Sequence, residues 1–210
     1  MRKTPLLRSF APLADATARV LILGSMPGAA SLRAGQYYAH PRNAFWPLMG
    51  DLFGADAALP YAARVRRLQD AGIALWDVLA VCARSGSLDA AIDTRSVIAN
   101  DLVSFFARHP GISHVFFNGA TAESCFQRHV QPTLEAHAFR LRRLPSTSPA
   151  HAAMTYAQKR AAWQAVARAA ASPGINKRGI AAPGPATPYA DSAAAVTAGK
   201  KSSAGSGRPK

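Results

Sequence analysis

The sequence predicts an α/β fold: three layers, α/β/α, around a central, mostly parallel four-stranded sheet. Two observations carry this. Short apolar runs of strand length alternate with stretches whose apolar residues recur at helical spacing. Several of the runs end in glycine-, proline- or asparagine-containing loops, as strands feeding crossover helices do. Loops at the carboxyl ends of such strands are where α/β proteins bind ligands.

Val20–Leu23 is uniformly apolar and reads as the first buried strand, ending in GSMPG, residues 24 to 28. A second string, QYYAHPRNAFW, occupies residues 36 to 46. Arg42–Phe53 places Phe45, Leu48, Met49, Leu52 and Phe53 on one helical face, and Tyr61–Ala71 fits another helix. Ile73–Val78 is the second strand. Ser96–His109 reads as an amphipathic helix stopped by Pro110-Gly111. Ser113–Phe117 is the third strand, and Asn118-Gly119 opens a helix through Val130. Phe139–Leu144 is the fourth strand, running into PSTSPAHA, and a closing helix spans Thr155–Ala170.

The 210 residues divide into one domain, 1–171, and a basic Ala/Pro/Gly/Ser-rich tail, 172–210. The tail has too few large apolar residues to offset its ordering entropy and is expected to be disordered. Net charge is +14, of which +5 falls in the tail and +9 in the body. Such a balance favours polyanions. Cys82 and Cys125 lack CxxC partners, so a cysteine-held zinc or iron–sulfur site is not expected, nor any other metal or cofactor. Pro5, Arg8 and Pro12 interrupt any signal-like core, and no apolar stretch reaches membrane-spanning length, so a cytoplasmic protein is expected, and a monomer.

The combination GSMPG…YYAHPRNAFW…LPSTSPAHA, over roughly residues 15 to 170, resembles the uracil-DNA glycosylase superfamily, and within it the hypoxanthine-DNA glycosylase branch. The resemblance implies a monofunctional glycosylase that hydrolyses deaminated bases from DNA in base excision repair, hypoxanthine (deoxyinosine) preferred. Most branches carry Asp or Asn at the third position of the first motif, where it directs water. Here that position is Met26, which cannot orient water. The catalytic role then passes by resemblance to Asn43, for which helix capping is the competing reading.

The resemblance makes Tyr38 the platform for a flipped base, with Tyr37 as the alternative and the other of the pair in the core, and with Gly24, Ser25 and Met26 as further base-pocket residues. Asp77 is assigned to base reading, accepting from a purine N1–H or, protonated, donating; a cap or an ion pair with Arg84 competes. Asn118 is a ligand contact or an N-cap. Pro27, Gly28, Ser146, Ser148, Pro149, Ala150 and His151 are expected to touch DNA, small hydroxyls and exposed amides suiting phosphates, with a surface histidine of no function as the competing reading for His151. His40 is expected to bond within its own loop. No lysine stands near the motifs in sequence to form a Schiff base, which implies hydrolysis without strand cleavage. The competing functions are a uracil or mismatch glycosylase of the same fold and a noncatalytic DNA-damage-binding protein.

Overall fold

The computed structural model describes residues 4–134 and 139–172. The expected disordered tail lies outside the described residues except for Ser172.

The elements in order are β1 (Leu6–Arg8), β2 (Val20–Gly24), α1 (Ala29–Ala34), α2 (Phe45–Phe53), α3 (Tyr61–Asp70), β3 (Ile73–Asp77), β4 (Leu79–Arg84) and β5 (Ile92–Ala99). They continue with α4 (Leu102–Arg108), β6 (His114–Asn118), α5 (Ala120–His129), β7 (Arg140–Leu144) and α6 (Tyr156–Ala171). The four expected strands form the parallel sheet in the order β3-β2-β6-β7. A chain that leaves one strand for a helix and returns parallel gives this arrangement.

The register matters more than the order. Gly24 pairs with Asp77, Leu23 with Phe117, and Asn118 with Leu144. The carboxyl ends of all four strands therefore finish at one level, and the loops that follow them are brought together.

Strand alternation divides the core into two layers. Trp76 and Phe117 face α4 and α5, with ring centroids 5.1 Å from Phe105 and Phe126 respectively. The opposite face lies under α2, α3 and α6, where Trp163 meets Phe45 edge-on at 5.9 Å. Both tryptophan N–H groups are satisfied by carbonyls, Trp76 by Phe10 and Trp163 by Pro145. A buried indole donor left unpaired would be costly.

A second sheet, antiparallel and ordered β1-β4-β5, was not foreseen. GIALWDVLAVCAR reads as one apolar run, yet it is two strands. The amides of Val78 and Leu79 bond to the carbonyls of Gly24 and Ser25, which turns the chain out of the parallel sheet. The expected helix Ser96–His109 is also corrected. Ser96–Ala99 belongs to β5, where Val97 and Ile98 suit extended backbone. Asn100 is pinned to β3, its amide to Val78 O and its Nδ2 to Asp77 O, and α4 begins only after Asp101 caps it through Ser104 N–H. At the chain's other end Thr155 and Gln158 form a reciprocal capping box on α6.

Candidate active site

Gly24 and Asp77 close adjacent strands and are fully or almost fully buried. A Cβ on residue 24 would stand 2.3 Å from Asp77 Oδ1 and 3.1 Å from Tyr38 Oη. Three groups thus converge on one point at the end of the sheet. Asp77 Oδ2 accepts a 2.8 Å hydrogen bond from Ser9 Oγ. Burial pushes the Asp77 carboxyl up to about 7, opposed by the Ser9 hydroxyl, with Asp89 adding to the rise and Arg84 reducing it. Near neutral pH it can therefore either accept or donate.

Tyr38 has φ of 54°, the only non-glycine positive φ among the described residues. An aromatic side chain held there is strained, and such strain persists only where surrounding contacts enforce it. The enforcing contact is Phe45, stacked on Tyr38 at 4.0 Å and 21°. Tyr38 Oη is buried and makes no hydrogen bond of normal geometry. Burial, then the Asp77 carboxylate, raises its pKa well above the ordinary phenol value, with the Asn118 side chain opposing. Tyr37 belongs to the core, donating from Oη to Ala11 O and accepting at its carbonyl from Trp46 Nε1.

Asn43 is half-buried, and its Oδ1 accepts from Phe45 N–H at 3.0 Å; the N-cap of α2 is the next residue, Ala44, which has no side-chain cap. An amide oxygen has a second lone pair, which this bond leaves available. His40 Nδ1 accepts from Arg42 N–H, keeping the histidine within its own loop.

The third loop is joined to the first through Thr147, which is 1% exposed. Its amide donates to Asn118 Oδ1, its hydroxyl accepts from Asn118 Nδ2, and its carbonyl accepts from Ala44 N–H. Asn118 is therefore a clamp between β6 and the Pro145–Ala152 loop; the α5 N-cap is Gly119. Ser146 and Ser148 accept from the amides of Ser148 and Ala150, shaping the turn, and Pro149 and Ala150 are exposed at its tip. His151 is half-buried, with Nε2 making no hydrogen bond.

In GSMPG, Met26 is 6% exposed and joins the hydrophobic core. Ser25 donates to Asp89 Oδ2 at 2.8 Å. Pro27 is buried and its carbonyl accepts from Arg84, which also donates to Gly86 O and lies 3.6 Å from Asp89. Arg84 is thus paired with Asp89 rather than with Asp77. At Gly28 a side chain would meet only Ser87, at an ordinary 3.9 Å.

Sequence reasoning missed Ser9, Thr147, Asp89 and the role of Arg84. It also left Lys159 remote from the motifs, whereas α6 returns its Nζ to 2.9 Å from His151 O. Ser9 and Asp89 carry no motif signal, since only the tertiary fold brings them to the loops. Among the described residues no cluster of His, Cys, Asp and Glu could hold a metal ion, and no helix is long and apolar enough to cross a membrane.

Residues 11–169 match the family described as the uracil DNA glycosylase superfamily. Two similar proteins are named hypoxanthine DNA glycosylase. The one from Methanosarcina barkeri strain Fusaro is 34% identical over 145 residues, 69% of this chain and 87% of that protein. The one from Methanosarcina acetivorans is 32% identical over 162 residues, 77% and 98% of the two chains. A solution NMR structure of an M. acetivorans protein of the uracil DNA glycosylase type superposes with a TM-score of 0.66 at 30% identity, covering 79% of this chain and 99% of that one. With strands, loops and sequence in agreement, the chain belongs to the uracil DNA glycosylase superfamily.

Proposed function

We propose that this protein is a monofunctional DNA glycosylase acting on deaminated bases, hypoxanthine preferred, as a cytoplasmic monomer without metal or cofactor. The observation that carries the reading is the convergence of Tyr38, Asp77 and the Asn43 loop at the ends of β2 and β3, tied to the Pro145–Ala152 loop by Thr147. The names of the two Methanosarcina relatives support hypoxanthine as substrate.

A base turned out of the duplex stacks on Tyr38 on the side away from Phe45. Hypoxanthine presents N1–H beside O6. Ionised Asp77 accepts from N1–H, and protonated Asp77 donates to O6. The C1′–N9 bond breaks with its electron pair passing to the base, and the sugar acquires oxocarbenium character. Water bound at the free lone pair of Asn43 Oδ1 adds to C1′ and loses a proton, while the departing base gains one. The products are free hypoxanthine and an abasic site. Placement and charge stabilisation carry this chemistry, since an amide is a weak base.

Oligonucleotides containing inosine, xanthine or uracil, incubated with the protein and then treated with alkali, test the reading. Inosine strands are expected to be cut fastest. Faster release of uracil would make this a uracil glycosylase, and tight inosine binding without release a damage-binding protein. Asn43→Ser keeps a side-chain acceptor for the Phe45 N–H but is too short to hold the water. Folding close to wild type with base release reduced about 100-fold or more is expected.

A further inference from the structure

At the opposite end of the parallel sheet, a groove opens between edge strand β7 and the last turns of α6. It is lined by His114 and Phe116 of β6, Arg140 and Arg142 of β7, and Ala165 and Arg168 of α6, with neighbouring residues. The register creates this composition. His114 pairs with Arg140 and Phe116 with Arg142, so alternation puts all four side chains on one face. The His114 and Phe116 rings lie nearly parallel, at 10°, as a floor, and small Ala165 leaves space on the helix side.

Three exposed guanidinium groups share this groove, and among the described residues its lining contains no carboxylate. Arg140, Arg142 and Arg168 form no ion pair with a described residue, whereas Arg143, on the other face of β7, is paired with Glu123. Burial, followed by the Arg140 charge, lowers the pKa of His114, so the histidine adds little further positive charge. One charged residue on an edge strand suffices to discourage strand pairing. Three around a groove form an anion cradle, and guanidinium forks match phosphate geometry.

We infer that this groove is a second DNA contact, holding sugar–phosphate backbone that flanks the base-excision site. The inference rests on the reading of the chain as a DNA-acting enzyme. β7 runs from the groove directly into Pro145 and Ser146, so a strand gripped at that loop has a continuous path along the sheet edge. Five residues of β7 span about 16 Å, the rise of roughly five base pairs. Arg140 and Arg142, about 6.6 Å apart along the strand, offer successive anchors. The groove therefore engages only DNA that extends beyond the immediate site.

The test compares the full-length protein with Arg140→Ala/Arg142→Ala, and with Arg66→Ala/Arg67→Ala, which removes equal charge from exposed positions of α3. Binding is followed against salt on a duplex of about 30 base pairs, undamaged or containing inosine, and on a hairpin with about four pairs either side of inosine. The groove variant is expected to lose about 2 from the slope of log K on log salt with both long duplexes and about 1 or less with the hairpin, whose four pairs reach Arg142 but stop short of Arg140. Base release at saturation stays at wild-type rate, and the α3 variant keeps both slopes. An unchanged long-duplex slope, or an equal loss in the α3 variant or on the hairpin, overturns the inference. Slope loss with no base release by any form supports the groove and removes the glycosylase reading. Intact base release without slope loss removes only the groove.

Discussion

The Gly24 backbone lies so close to the Asp77 carboxyl that a Cβ at residue 24 would stand 2.3 Å from Oδ1. Glycine is demanded here by a neighbouring side chain and by Tyr38, inside the protein, rather than by a bound ligand or a turn. Gly24→Ala is therefore expected to destabilise the fold by about 1–3 kcal/mol. Shortening the opposing side chain by Asp77→Ala should recover part of that loss in the double variant. Urea unfolding of the four proteins in the cycle checks this, and simple additivity would show that the two residues do not press on each other.

Asp77 makes stability depend on pH in a definite direction. Its folded pKa, about 7, lies above the ordinary carboxyl value, chiefly because the group is buried. The folded state then binds the proton more tightly, so its contribution is fully present below about pH 4 and is lost as pH rises through about 7. Asp77→Asn should gain on wild type over that window, by up to ~4 kcal/mol, and run parallel to it above. Ser9→Ala removes a donor that lowers this pKa and should move the midpoint higher. Denaturant midpoints between pH 4 and 8 provide the measurement.

Thr147 satisfies Asn118 and Ala44 together. Thr147→Val keeps the shape but leaves Asn118 Nδ2 without its acceptor, and about 1–3 kcal/mol of stability should go. Because Asn118→Ala removes the same bonds, the pair should be strongly non-additive. Single-turnover base release should fall in each variant, since the Asn118 bonds fix the Pro145–Ala152 loop, to which the loop carrying Asn43 is held through Thr147 O.

Arg84 is 1% exposed and holds GSMPG through Pro27 O, with Asp89 and Ser25 completing the contact. Arg84→Met strands those acceptors and should cost about 3–5 kcal/mol. Asp89→Asn retains an acceptor for Ser25 and should cost less. Thermal unfolding ranks the two, and an Asp89→Asn loss as large as that of Arg84→Met would contradict this order.

The four parallel strands and the helices α2, α3, α5 and α6 were legible because their apolar periodicity is undisturbed, with α6 started by the Thr155 cap. β1, β4 and β5 were not. Leu6–Arg8 is too short to show a period, and Leu79–Arg84 continues the apolar run of β3 without a turn residue. Ser96–Ala99 has an apolar pattern that also fits a helix, and only the pinning of Asn100 against β3 decides for strand. At the candidate site, motif letters singled out Tyr38, Asp77 and Asn43 as candidates. Their partners Ser9 and Phe45 were not readable as such, because hydrogen bonding and stacking depend on packing.

The sequence by itself determined the parallel core, the three motif loops and a methionine, which cannot orient water, at position 26 of the first of them, since strand period, turn chemistry and side-chain type are local properties. Tertiary structure decided the rest. Strand register placed Gly24 opposite Asp77, desolvation raised that carboxyl toward neutrality, Thr147 bound the loops together, and the alternation of β7 gathered the arginines at the far end of the sheet. Each of these depends on what lies across a strand or loop, and no stretch of sequence contains its own neighbours.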